Sequence, residues 1–400
     1  MDIIERFLKY VAYETTSNEE SDSIPSNEKE IILLKELVED MKKIGLDSFY
    51  KDGFSYGKIK SDINKKDTIF LMAHVDTSPD AKGYDIKPRI VHYKDGSIPL
   101  SKDKILDENI FDNLKKHMGH DLIVTDGNTL LGADDKAGIA IILDTVEKII
   151  KRGGYPNIVI CFSPDEEIGR GTVGIDLDYI KDSTSRIYAY TVDGGDITKF
   201  SYENFNAASA KVIVDGISIH PSIGKNKLIN AMEVIQLFHT LLPKQKPENT
   251  EKREGFIHLC MMNGFVEKAE YYYIIRSFEP SELESFKNSF FAVRDKINKS
   301  YNRDLVKVEI NDTYKNMKEI IDQNTYLVDI VHNAYDELGI KIQDDPIRGG
   351  TDGATLSYLG LPCPNLGTGG ENFHGVYEYL DIDDMKMMVK IITMIMDKIE

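Results

Sequence analysis

The sequence predicts an α/β protein in which a mostly parallel central sheet is interrupted by a smaller, inserted α+β domain. Three observations carry that expectation. Up to about residue 205, apolar strand-like runs alternate with helical periodicity; the middle of the chain reads βαββαβ; beyond it, helix and loop alternation resumes.

The first β-like run is DTIFLMAHVD, rich in apolar residues and ending in His74 and Asp76. In IVTDGNTLLGADDKAGIAIILDTVEKIIKRGG the chain turns after Asp126-Gly127 and becomes helical, with Ile139, Ile142, Val146, Ile149 and Ile150 at spacings of three and four. Asp134 or Asp135 is the expected cap of that helix. NIVICFSPDEE gives a second strand and a loop, and RIYAYTVDGG a third strand that stops at Asp193. A helix between apolar strands argues for parallel pairing.

From Asn206 the pattern changes. AASAKVIVDGISIH reads as strand, KLINAMEVIQLFHTLL as helix, GFIHLCMMNGFVEKAEYYYIIRSF as a hairpin around Asn263-Gly264, SELESFKNSFFAVRDKIN as helix and DLVKVEIND as strand. That order suits a ferredoxin-like sandwich. The second domain is expected over residues 206–318, with 1–205 and 319–400 forming the first. TYLVDIVHNAYDELG and the tail DIDDMKMMVKIITMIMDKI read as helices, and KQKPENTEKREG as a solvated loop.

A chain of 400 residues, 41% hydrophobic and 29% charged, suits a soluble two-domain protein. The formal charge of −18 disfavours nucleic acid and anionic membrane as partners. No run is long and apolar enough to span a bilayer, and the amino terminus carries acidic residues where a secretory signal is basic, so the cytoplasm is the expected location. Cys161, Cys260 and Cys363 share no CxxC spacing and are expected as reduced, buried thiols.

The polar residues at the predicted strand ends carry the chemistry. Ligands of open α/β sheets bind beyond the carboxyl ends of the strands, where His74, Asp134, Glu166, Glu167 and Asp193 fall. His74 and Asp76 share a strand face, so Asp76 can fix the tautomer of a metal-bound His74; a structural histidine is the plain alternative. The DTS tripeptide at Asp76 resembles an aspartic-protease turn, but those enzymes need two such aspartates and one copy occurs. Asp134 and Asp135 stand between glycines that permit close backbone approach to a ligand, or they are simple caps. Asp193 reads equally as a turn residue and His374, in GTGGENFHG, as a loop histidine. Taken together, two histidines and three carboxylates without cysteine form the ligand palette of a hydrolytic zinc-type site. The adjacent glutamates then divide the work, one holding metal and the other serving as general base to the attacking water.

HVDTSPD, TDGNTLLGADDKAG, SPDEEIGRG, YTVDGG, YENFNAAS and PIRGGTDGATLSYLGLPCPNLGTGGENFHG, in this order across nearly the whole chain, resemble the dizinc aminoacylase and carboxypeptidase family in its tripeptide aminopeptidase branch. The resemblance implies a dizinc exopeptidase-type catalytic domain with an inserted lid and dimerisation domain, two zinc ions per subunit, small peptide substrates and a homodimer. It implies that His74 and Asp193 hold one zinc and Glu167 and His374 the other, with Asp134, two before Lys136, bridging. Glu166 is then the general base and Asp76 the support of His74. His220, in SIHPS, matches a lid histidine that reaches a partner's active site and stabilises the tetrahedral oxyanion; Ser222 stands where the family commonly has glycine. Arg276 and Arg348 match arginines expected to bind the peptide carboxylate or backbone oxygens, with the glycines after Arg348 open to substrate. The implied reaction is removal of the amino-terminal residue from unblocked tripeptides. Dipeptidase, aminoacylase and carboxypeptidase activities share the same ligands, and a peptide-binding dimer without catalysis is the reading from another class.

Overall fold

A computed structural model describes residues 1–181 and 186–400. The chain divides into two compact units: Met1–Tyr202, Met317–Asp345 and Thr351–Glu400 form one, Glu203–Asn316 and Pro346–Gly350 the other.

The first unit is built on an eight-stranded sheet whose middle is parallel. Asn157–Ser163, Thr68–His74, Ile187–Val192 and Asn365–Leu366 lie side by side and run the same way. An antiparallel hairpin, Asp47–Lys51 with Phe54–Ile59, extends one side, and Lys199–Ser201 turns antiparallel on the other. Every residue of Thr68–His74 is buried, as a central parallel strand covered on both faces requires. Alternate residues divide between two cores: Ile69, Leu71 and Ala73 join the larger, with helices Ile3–Val11, Ala133–Arg152 and Ile382–Lys398. Phe70 and Met72 join a smaller one with Val159, Cys161, Leu356 and Cys363.

Helix ends follow their chemistry. Asp2 with Glu5 and Asn27 with Glu30 close capping boxes, and Asp381 caps the last helix by accepting from the amides of Asp383 and Asp384. The helix over Ala133–Arg152 resolves the choice between its two aspartates. Both Asp134 and Asp135 have non-helical backbones joined by a cis peptide, and it is the Asp135 carboxylate that accepts the Gly138 amide, at 3.2 Å.

The second unit is an antiparallel sheet in the order Phe256–Gly264, Lys268–Ser277, Asn206–Asp215, Val306–Tyr314. Helices Ala231–Leu241 and Pro280–Tyr301 cover one face of it through Val234, Phe238, Phe286 and Phe290. Two expectations are corrected here. Asn263 and Gly264 do not form the hairpin turn: they pair with Glu270 and Ala269, and the chain reverses over residues 265–267. Cys260 is exposed, because it sits on the edge strand at an irregularity between Leu259 and Met261; only Cys161 and Cys363 are buried. Pro346–Gly350, which the sequence pattern places with the first domain, clusters with the second unit through the bridge of Asn204 with Ile347 and the bonds of Arg348 to the carbonyls of Lys252 and Glu254.

Candidate metal centre

Parallel register fixes where the polar residues meet. His74 pairs with Ser163 at the ends of their strands, which places the loop carrying Glu166 and Glu167 beside the imidazole. Asp193 follows Val192 on the neighbouring strand, with its amide bonded to the Leu366 carbonyl. The start of the long helix is pressed against that strand by Gly138, where a Cβ would lie 1.9 Å from the Val192 carbonyl oxygen. This glycine admits a neighbouring strand, whereas the sequence reading reserves such glycines for a ligand.

The side chains converge. His74 Nε2 lies 3.0 Å from Asp134 Oδ1, and His374 Nε2 lies 3.3 Å from Asp134 Oδ2 and 2.9 Å from Glu167 Oε2. Asp134 thus turns one oxygen to each histidine. Donor atoms of His74, Asp134 and Glu167 fall within 4.8 Å of one another, as do those of His74, Asp135 and Asp193. Glu167 Oε1 is buried and has no hydrogen-bond partner among the described residues. A desolvated carboxylate oxygen without a donor is costly unless a cation satisfies it, so the residues fit a metal.

The model of peptidase family M20/M25/M40 matches residues 124–398. The chain belongs to this family. A peptidase T from Clostridium acetobutylicum is 45% identical over 405 residues, 99% of this chain and 98% of that one. A second, from Caldanaerobacter subterraneus, is 44% identical over 404 residues, again 99% and 98%. Two solved structures share the fold: aminopeptidase PepT from Bacillus cereus, with a TM-score of 0.77 at 20% identity over 99% of this chain and 98% of that one, and the Bacillus subtilis YXEP protein, described as a dinuclear metal binding peptidase, with 0.66 at 12% over 99% and 96%.

The electrostatics of this M20 site show what a cation would relieve. Burial opposes charge on His74, yet bonds with Asp134 and Asp76 raise its pKa well above the ordinary value. His374 is pushed up to about 11 by its bonds with Asp134 and Glu167. For Asp134, burial works upward, but the bonds with His374 and His74 prevail and hold it below the usual carboxylate range. Burial raises Asp193 to about 7, with Asp134 adding to it, and raises Glu167. Glu166 is held well above the carboxylate range by burial, then by the charges of Asp352 and Asp193. The carboxylates around both imidazoles thus favour positive charge at this point of the site.

Supporting groups reach further than the sequence reading. Asp76, fully buried, faces His74 Nδ1 with Oδ1 at 3.2 Å and with its own carbonyl oxygen at 3.1 Å. It also accepts the amides of Glu166 and Glu167, at 3.0 and 3.1 Å, so one carboxylate positions three site residues. Glu378 and Asp352 were not legible as site residues. Glu378 accepts the amides of Leu131, Gly132 and Asp134 at 2.6, 2.9 and 3.1 Å and so shapes the loop that presents Asp134. Asp352, pushed up to about 7 by burial, lies against Gly171 and accepts from the Ser163 hydroxyl at 3.4 Å. Its place in GGTDG was visible, and nothing in the spacing tied it to Ser163.

His220, Arg276 and Arg348 lie in the second unit. His220 is exposed and its Nδ1 meets the Ser222 hydroxyl at 2.7 Å, so the serine at the departing position orients the ring. Arg276 donates to the carbonyls of Ala208 and Ile275 and stacks over Tyr314. Arg348 lies over Phe205 and Phe256. Gly350, expected to admit substrate, packs on the Tyr314 ring, where a Cβ would come within 2.7 Å.

Proposed function

We propose that this M20 peptidase removes the amino-terminal residue of unblocked tripeptides. The observation that carries the reading is the cluster of His74, Asp134, Glu167 and His374 beside a second glutamate, Glu166, that takes no part in it. The full-length similarity to proteins named peptidase T supports the tripeptide substrate.

His74 and Asp193 would hold one zinc ion and Glu167 and His374 another, with Asp134 offering an oxygen to each. Bound there, zinc polarises a peptide carbonyl and lowers the pKa of water to about 7. Glu166 takes the proton of the attacking water and returns it to the leaving amine. Asp76 keeps His74 in one tautomer and fixes the turn that separates the roles of Glu166 and Glu167. In a homodimer, His220 of one subunit supports the oxyanion formed in the other, and Arg276 and Arg348 receive the peptide's carboxylate or backbone oxygens. The second unit then serves as lid and dimerisation domain. Among the described residues no helix is long and apolar enough to cross a membrane.

The test follows amino acid released from a free tripeptide, its N-acetylated form, a dipeptide and a tetrapeptide, with zinc and after chelation. Chelator-sensitive release from the free tripeptide above the others is expected. Preference for the acetylated peptide or the dipeptide would replace the specificity, and no release from any of them would leave only peptide binding.

A further inference from the structure

A second set of metal-type donors lies in the first unit, formed by residues to which the peptidase reading gives no role. His117 ends a short 3-10 helix, Asp112–His117, and the turn through Gly119, at φ +90°, brings His120 to the same side. Both imidazoles meet Asp381: His117 Nδ1 is 2.7 Å and His120 Nδ1 2.6 Å from Oδ2. The other oxygen, Oδ1, is occupied by the helix cap, with the Asp383 and Asp384 amides at 2.8 and 3.0 Å. One turn along, Asp384 Oδ2 lies 3.7 Å from His117 Nδ1. Donor atoms of His117, His120 and Asp381 fall within 4.8 Å of one another, and a cavity of about 290 Å³ opens on His117, His120 and Asp384.

We infer that His117, His120, Asp381 and Asp384 form a second, structural site for a borderline divalent cation such as zinc, separate from the proposed catalytic pair. Two imidazole nitrogens and two carboxylate oxygens make a neutral tetrahedral set around such an ion. Bonds of about 2.0–2.1 Å place tetrahedral donors roughly 3.3 Å apart, so each ring moves away from Asp381 by about 0.6 Å. Asp384, 3.7 Å from His117 but outside the 4.8 Å group of the other three, swings inward to complete the set. His120 has the freedom to move, with 35% of its side chain exposed beside the cavity. Lys116 does not compete for the site, because its ammonium is paired with Asp196 at 2.7 Å. Asp384 is pushed up to about 6, by burial and then by Asp381, the repulsion that a cation would remove.

The position suggests what such an ion does. Asp381 ends a strand, Tyr379–Asp381, paired on one side with Asp121–Val124 and on the other with Gly370–Glu371. His374 is carried on the connection between Gly370–Glu371 and that strand, and Asn113 of the short helix donates to Glu371 and Asn372. An ion here pins both feet of the His374 loop to one point.

The test is the zinc content of the full chain after equilibration with buffered zinc, comparing the unmodified protein with His120→Gln and Asp384→Asn. One zinc per chain fewer in each variant is expected, with the remaining zinc retained and the far-ultraviolet circular dichroism unchanged. The same variants should lose a zinc-dependent rise in Tm that the unmodified chain shows. Equal zinc content in all three proteins overturns the site, and so does loss of helical signal in both variants, which would make the cluster a hydrogen-bond hub of the apo fold. The count does not depend on peptide hydrolysis, so the inference and the proposed activity fail separately.

Discussion

Replacing Asp76 by asparagine tests how much of the metal centre hangs on one carboxylate. Its two oxygens each accept a backbone amide, from Glu166 and Glu167, while Oδ1 also faces His74 Nδ1. Asparagine keeps the shape but turns an NH2 group toward one of the three donors. A buried donor left without an acceptor costs about 1–3 kcal/mol, and the lost charge weakens the bonds that survive. Destabilisation of about 2–4 kcal/mol is therefore expected, read as a lower midpoint in urea unfolding of the metal-free protein. Metal affinity should fall about 10–100-fold, the range for losing the partner of a metal-bound histidine, measured by competition with a chromophoric chelator. An unchanged urea midpoint with unchanged affinity would refute the role given to Asp76; lower stability at full affinity would restrict that role to the Glu166–Glu167 turn.

Other substitutions probe neighbouring steps. Glu166→Ala should leave zinc content nearly intact and remove most turnover, by about 100-fold or more; near-normal kcat would assign the base elsewhere. Gly138→Ala forces a Cβ onto the Val192 carbonyl oxygen, so a loss of at least about 1–3 kcal/mol is expected together with weaker metal binding, by thermal unfolding and zinc titration. Glu30 is pushed up to about 9, chiefly by burial, above its unfolded value of 4.5. The folded state therefore keeps a proton that the unfolded chain releases, and this contribution to stability is complete below pH 4.5 and fades as pH rises toward 9. Glu30→Gln should flatten that part of the stability profile, and parallel profiles for the two proteins would contradict it. Of the three cysteines, Cys260 alone should react quickly with a thiol reagent in the folded protein, with Cys161 and Cys363 reacting only on unfolding.

The parallel sheet and the ferredoxin-like order were legible because apolar runs and helical spacing are local signals. The clustering of the candidate ligands was legible for a related reason: polar residues at the ends of neighbouring parallel strands fall close together, as His74 does with Glu167 and with Asp193. Turn placement was not. Asn263-Gly264 is a strong hairpin signal, yet cross-strand pairing extends through it and reverses two residues later. Glu378 and Asp352 escaped because their partners are backbone amides and a hydroxyl distant in sequence, and such bonds leave no periodicity to read.

Ribosomes build a chain from its amino end, which gives the order of the ligands a temporal meaning. His74, Asp134 and Asp193, three of the proposed ligands, exist as soon as the third parallel strand has been made, whereas the cluster that needs His374 waits for almost the whole polypeptide. The edge of the sheet beside Ile187–Val192 is closed only when Asn365–Leu366 arrives, and the large core is capped by the last helix, Ile382–Lys398. A nascent peptidase of this architecture carries only part of the proposed centre while its own unfinished chain is close by, and the proposed constellation is complete only at the end of synthesis.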